Sequence, residues 1–178
     1  MSGMISLSLK INGQPIGPLK IPASINMIEV LHEYLNMTGT RFGCGVAQCR
    51  ACTVIVDQPD GSSQSMVTCI VPAAAFQGMS IRTIEGHAKT GADGNVTLSP
   101  VQQAFVDHFS FQCGYCTPGF VNEATILFER LHTKPIPKEE VEQYIMDGLN
   151  AHLCRCTGYV RYFQALRELI LNTKGLTT

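Results

Sequence analysis

The chain has 178 residues, 45% of them apolar and 15% charged, with 13 basic against 14 acidic side chains and a formal net charge of −1. That length suits one medium domain or two small ones. The lack of any Lys or Arg run argues against nucleic-acid binding, and no apolar run is long enough to enter and span a bilayer. The low charge leaves room for a large protein interface.

The opening MSGMISLSLKINGQPIG has no basic n-region, no apolar h-region and no twin-Arg pair, so folding in the cytoplasm is expected. Residues 5–11 alternate apolar and polar and read as a half-buried strand. Asn12-Gly13 is a hairpin signal, and Ile16 to Ile21 supplies the returning strand. An amphipathic helix is predicted over 26–36, with Ile28, Leu31 and Leu35 on one face. A Gly- and Cys-rich loop, 41–52, runs into the β-branched strand 53–56. Further strands are predicted at 66–70 and 80–84. Composition shifts at 85–98, where Gly, Asp and Asn cluster as in a linker.

The period then becomes helical. Ser99-Pro100 is an N-cap followed by Pro and opens a helix over 100–108. Thr117-Pro118 repeats the signal and opens 118–131, with Phe120, Ala124, Leu127 and Leu131 along one face. Pro137 opens a third helix to about Leu149, and Tyr162 to Leu171 forms a fourth carrying Leu166, Leu169 and Ile170. Strands around one helix with a cysteine loop after it suggest a small β-grasp unit, and four helices with short connections suggest a bundle. The expected organisation is α+β: an N-terminal β-grasp ferredoxin-like domain over 1–84, a linker over 85–98 and a C-terminal four-helix bundle over 99–178. There are no internal repeats.

All eight cysteines fall into two tetrads. In a reducing compartment such a set favours metal ligation over disulfides. Cys44, Cys49, Cys52 and Cys69 read C-x4-C-x2-C-x16-C, the plant-type ferredoxin spacing. Three thiolates from one loop must curl around a cluster. Gly43 and Gly45 relax the backbone for that curl, and Ala51 is small enough for close approach. A zinc site more often uses two C-x2-4-C knuckles. Cys49-Arg50-Ala51-Cys52 as a thioredoxin-like pair would belong at a helix start, whereas a strand follows.

Cys113, Cys116, Cys154 and Cys156 read C-x2-C-x37-C-x-C. The first two precede Thr117-Pro118, where a helix N-terminus adds partial positive charge that favours thiolates. Neither C-x-x-C is followed by His, which excludes c-type haem attachment. Cys113-Gly114-Tyr115-Cys116 alone is glutaredoxin-like, but the Cys154-Arg155-Cys156 arm weighs against that reading. Eight thiolates suffice for two 2Fe–2S clusters.

The string FQCGYCTPGF (111–120), then LCRCTGY (153–159), with the plant-type tetrad upstream, resembles the small iron–sulfur subunit of the xanthine oxidase family of molybdenum hydroxylases, over roughly residues 4–172. The resemblance implies two 2Fe–2S clusters and a separate large subunit that holds the molybdopterin cofactor. It implies that the helical-domain cluster lies next to the pterin, that Gln112 hydrogen-bonds the pterin, and that Cys156 is the ligand whose sulfur lies closest to it. No catalytic residue is expected in this chain.

The first loop, CGVAQCRAC (44–52), departs from the commoner family pattern. It is similar to the branch with isoquinoline oxidoreductase and the membrane-associated aldehyde dehydrogenases of acetic acid bacteria. That likeness implies cytochrome c as acceptor, an aldehyde or N-heteroaromatic substrate, and periplasmic or membrane association only through partners, with no direct membrane insertion. A chain feeding a flavin partner, a free two-cluster ferredoxin shuttle and a zinc-stabilised adaptor remain alternatives. Arg50, between two ligands, is expected to tune the outer cluster and to help dock an acceptor, or to be a solvated arginine. His152 stands where relatives often have Asn; His32, His87, His108 and His132 are expected at the surface or as caps.

Overall fold

The computed structural model describes residues 3–178; Met1 and Ser2, which head the expected N-terminal domain, lie outside the described residues. Strand β1 (Met4–Ile11) turns through Asn12 and Gly13 into β2 (Gln14–Pro22). Both turn residues have positive φ, +52° and +80°, the combination a two-residue type I′ hairpin needs. Gly17, at φ +103°, is required where the register slips between Leu7 and Leu9, because a Cβ there would stand 2.3 Å from the Leu7 carbonyl oxygen.

The remaining strands are β3 (Thr53–Asp57), β4 (Ser63–Val67) and β5 (Ser80–Arg82). They form a mixed five-stranded sheet in the order β2-β1-β5-β3-β4. β5 runs parallel to β1 and antiparallel to β3. β4 pairs with β3 from Thr53↔Val67 to Asp57↔Ser63. The strand expected at 66–70 therefore ends early: the chain leaves the ladder at Thr68 and delivers Cys69 to the cysteine loop.

The helix expected over 26–36 is also shorter. α1 (Met27–Glu29) opens into a wider turn over Val30–Tyr34, in which the Leu35 N–H bonds to the Val30 carbonyl. Such an i→i+5 turn rotates the side chains that follow it. Met27, Val30 and Leu31 join Leu7, Ile11, Val54, Val56, Phe76 and Ile81 in the core beneath the sheet, while Ile28 packs with Cys52 and Cys69.

The segment read as a linker has structure of its own. A 3-10 turn (Ile84–Gly86) leads into an exposed two-residue hairpin, β6 (Lys89–Thr90) and β7 (Val96–Thr97). Four helices follow: α2 (Pro100–Asp107), α3 (Thr117–Thr133), α4 (Val141–Leu149) and α5 (Val160–Asn172). Ser99 and Gln102 form a reciprocal capping box at the start of α2, with bonds of 3.0 and 3.3 Å. The helices share a second core built from Phe105, Phe120, Leu127, Leu131, Ile145, Tyr162, Leu166 and Ile170. The whole is a mixed α+β fold.

α3 is buried continuously from Gly119 to Phe128. One side faces the other helices and the opposite side faces β3 and β4, so it lacks the single polar stripe of a surface helix. Its buried polar residues, Asn122, Glu123 and Thr125, must find partners within the fold. No helix among the described residues is long and apolar enough to cross a membrane.

Candidate metal centres

The first cysteine loop is shaped by three left-handed positions, Gly45 (φ +70°), Ala47 (+62°) and Arg50 (+55°). This winding turns backbone N–H groups inward. The amides of Val46 and Cys49 each lie 3.4 Å from Cys44 Sγ. Gly43 must lack a side chain, since a Cβ would stand 2.9 Å from Cys49 Sγ. The fourth thiol is tied in through its neighbour: Thr68 donates its N–H (3.3 Å) and hydroxyl (2.9 Å) to the Cys52 carbonyl.

Within this tetrad Cys44 and Cys49 act on each other, Cys52 acts on Cys69, and Cys44 also bears on Cys69. The amides of Cys49 and Val46 lower the Cys44 thiol to about 7. Burial pushes Cys69 up to about 11 and also raises Cys49. The loop is thus graded from an exposed, easily ionised thiol to a buried one that needs a cation to ionise.

The second tetrad sits where α3 and α5 begin. α3 starts at Thr117, with Cys116 rather than Thr117 in the capping position. The expected benefit of the helix N-terminus is outweighed there, because burial pushes the Cys116 thiol up to about 11. Cys116 pairs with Cys154, and Cys113 pairs with Cys156 at an Sγ–Sγ separation of 3.6 Å. Burial acts to raise the Cys154 thiol, but the hydroxyl (3.0 Å) and amide (3.4 Å) of Thr157 outweigh it and the net shift is downward. The hydrogen bond to Cys113 raises Cys156. Tyr159, left-handed at φ +70°, accepts the Cys154 N–H on its hydroxyl at 3.1 Å and starts α5.

Among the described residues no three His, Cys, Asp or Glu side chains converge as a cage for a single ion. The two groups of four thiols instead match the donor set of di-iron clusters, which take two thiolates per iron. Gln112 is exposed and its side chain makes no hydrogen bond among the described residues. It precedes exposed Cys113, and Phe109, Phe111, Tyr115, Leu153 and Val160, each within four residues of a second-tetrad cysteine in the chain, are exposed as well.

The two cysteine loops touch. The Leu153 N–H donates to the Cys49 carbonyl at 3.2 Å, and the Tyr115 hydroxyl donates to the Phe42 carbonyl at 2.5 Å. Gly119 lies under Arg50, where a Cβ would meet the Arg50 carbonyl oxygen at 2.3 Å and Ala51 Cα at 3.1 Å. Asn122 donates to the Thr53 carbonyl at 2.7 Å and is bonded to His87 Nε2 at 2.6 Å. Arg82 grips Glu129 with two bonds of 2.7 and 2.8 Å. His152 is buried against Phe120, with Nε2 3.5 Å from Glu123 Oε2.

Several of these partners are illegible in the sequence. Arg50 is half-buried and close enough to lower the Glu123 carboxyl, so it faces the contact between the loops and is not a freely solvated arginine. His87, expected at the surface or as a cap, bonds to Asn122 instead, and His152 is buried beside Glu123. Among the other histidines, half-buried His32 bonds to the Thr40 carbonyl at 2.6 Å and His108 lies 3.3 Å from Glu168.

Residues 83–167 match the family model described as a 2Fe-2S binding domain. The chain is 36% identical, over 92% of its length and 93% of the relative's, to a nicotinate dehydrogenase subunit of Pseudomonas putida. It is 36% identical, over 97% of its length and 93% of the relative's, to the xanthine dehydrogenase iron-sulfur-binding subunit of Escherichia coli O157:H7. It spans only 12% of rat aldehyde oxidase 2, at 30% identity over 95% of this chain. Quinoline 2-oxidoreductase from Pseudomonas putida 86 superposes with a TM-score of 0.76 and 30% identity, covering 93% of this chain and 91% of that one.

Proposed function

We propose, from the premise that this chain belongs to the iron–sulfur subunits of the xanthine oxidase family of molybdenum hydroxylases, that it holds two 2Fe–2S clusters and passes single electrons from a molybdopterin-bearing large subunit to a cytochrome c. It is an electron-transfer subunit of an oxidoreductase, and the catalytic centre is the large subunit's. When bound, the clusters supply one-electron storage. Cys44, Cys49, Cys52 and Cys69 hold one, and Cys113, Cys116, Cys154 and Cys156 hold the other.

The observation that carries this reading is the gathering of the eight thiols into two groups of four, Cys44 with Cys49, Cys52 and Cys69, and Cys113 with Cys116, Cys154 and Cys156. The domains divide as 1–84, a ferredoxin-like β-grasp unit, 85–98, a connector, and 99–178, a four-helix unit. Each contributes one tetrad, and the Leu153–Cys49 hydrogen bond joins them. Gln112 and Cys156 face the pterin. The exposed apolar side chains around them favour a chain seated in a complex over a free shuttle.

The loop CGVAQCRAC favours a cytochrome c acceptor over a flavin partner, and the chain reaches the periplasmic or membrane side through its partners. Relatives named for nicotinate and quinoline favour an N-heteroaromatic substrate; those named for aldehydes favour an aldehyde.

Metal and sulfide analysis of the purified chain tests the cofactor. About four iron and four acid-labile sulfide per chain are expected for two 2Fe–2S sites; zinc without visible absorbance would sink the reading. Size-exclusion chromatography of the native protein tests the partner. Co-elution with a large molybdenum-containing chain is expected, and a lone small species would support the shuttle instead.

A further inference from the structure

Side-chain hydroxyls reach the second tetrad on one side only. Thr157 Oγ1 lies 3.0 Å from Cys154 Sγ, and the Tyr162 hydroxyl lies 3.4 Å from Cys116 Sγ. Among the described residues no side-chain hydroxyl reaches the other pair, Cys113 and Cys156. Tyr162 comes from α5, far along the chain from Cys116. Its ring is almost fully buried, stacked on Phe120 at 4.1 Å and 3° and tilted against Phe105 at 5.3 Å. The packing, not the sulfur, therefore fixes where the hydroxyl points.

The hydroxyl has one other polar neighbour, Thr117 Oγ1 at 3.1 Å. A metal-bound thiolate carries no proton, so between Tyr162 and Cys116 the tyrosine has to donate. The Thr117 hydroxyl then donates to the tyrosine oxygen, and the two bonds polarise in the same direction. Donation to an anionic sulfur is a charge-assisted bond. It stabilises the more negative, reduced form of a cluster over the oxidised one.

We infer that Tyr162 is a positioning residue whose hydroxyl donates to the Cys116 sulfur and raises the reduction potential of the helical-domain cluster. The inference rests on the two-cluster reading above. It concerns one of the two clusters and leaves the other untouched, because the polar neighbours of the Tyr162 hydroxyl, Cys116 and Thr117, both belong to the start of α3.

Redox titration of the full chain with its clusters in place, followed by low-temperature EPR, tests it. Tyr162→Phe keeps the ring and its stacking and removes only the donor. The midpoint of one of the two cluster signals is expected to move to more negative potential while the other stays. Thr117→Val should move the same signal the same way by a smaller amount, since it removes only the polarising partner. In resonance Raman spectra the Fe–S stretches of the parent should shift in D2O, and part of that sensitivity should be lost in Tyr162→Phe. Unchanged midpoints in Tyr162→Phe at full iron content would overturn the inference and leave the two-cluster reading standing. A parent protein with only one cluster signal would overturn that reading itself.

Discussion

The backbone N–H of Leu153 donates to the carbonyl oxygen of Cys49 at 3.2 Å. One residue belongs to the first tetrad and the other precedes Cys154 of the second, so this hydrogen bond, with that of the Tyr115 hydroxyl to the Phe42 carbonyl, joins the covalent frames of the two sites. It forms because α3 begins with its backbone against the first loop, at Gly119.

Gly119→Ala should disturb that joint. The added Cβ would meet the Arg50 carbonyl oxygen at 2.3 Å and Ala51 Cα at 3.1 Å, both backbone atoms that cannot swing aside. Overpacking of this kind costs about 1–3 kcal/mol. Thermal melting should register the loss, and under the proposed two-cluster reading the magnetic interaction between the reduced clusters, read by EPR at low temperature, should weaken as the loops separate.

Glu123 and His152 form a buried pair whose two members are unequal. Burial alone would raise the Glu123 carboxyl, but His152 and Ser65 outweigh it and hold the carboxyl below its ordinary value. A carboxylate depressed in the folded state adds stability that is complete above the unfolded value, near 4.5, and is lost as pH falls through the folded value. Glu123→Gln should therefore lose its penalty in acid and cost about 1 kcal/mol near neutrality. His152→Leu removes the nearest partner of a buried carboxylate and should cost more than Glu123→Gln, about 1–3 kcal/mol. Denaturant melts of both variants at pH 7 and pH 4 check the order.

His87 sets a second pH dependence. Burial lowers its pKa below the ordinary 6.5, against the hydrogen bond to Asn122. The unfolded chain then binds the proton more readily than the folded one, so stability falls as pH drops below about 6.5. His87→Gln keeps a side chain able to reach Asn122 and removes the titration. Melting temperature plotted from pH 5 to 8 should be flatter in the variant than in the parent.

Single Cys→Ser replacements should separate the two sites. Cys113→Ser is expected to remove one cluster signal and leave the other, with iron falling from about four to about two per chain. Cys69→Ser should do the converse. It should also cost more stability, because Cys69 is buried with Cys52 and Ile28 whereas Cys113 is exposed. Iron analysis and EPR on each variant check both statements.

The short cysteine spacings, the Asn12-Gly13 turn and the Ser99-Pro100 helix start were readable from the chain because each is a local rule: backbone geometry or ligand number constrains neighbours a few residues apart. The predicted helix over 26–36 failed where a local rule ran out. The chain leaves the 3.6-residue period at Val30–Tyr34, and Ile28 and Leu31, expected on one face, lie in different clusters; nothing in an apolar spacing announces a turn that is not 3.6 residues long. The strand expected at 66–70 slid back for a similar reason, since its partner β3 sets where pairing stops.

By itself the sequence determined the inventory: eight thiols in two spacings, a strand-rich half before a helical half, and no span for a membrane. Tertiary structure alone decided which thiols are neighbours, that Glu123 and His152 form a buried pair, that Gly119 must be bare, and that a tyrosine from the last helix reaches Cys116. Apart from those within the first tetrad, these contacts join residues some 30 to 70 positions apart. They follow from how two cores pack on the opposite sides of α3, a long-range free-energy balance that no short window of residues encodes.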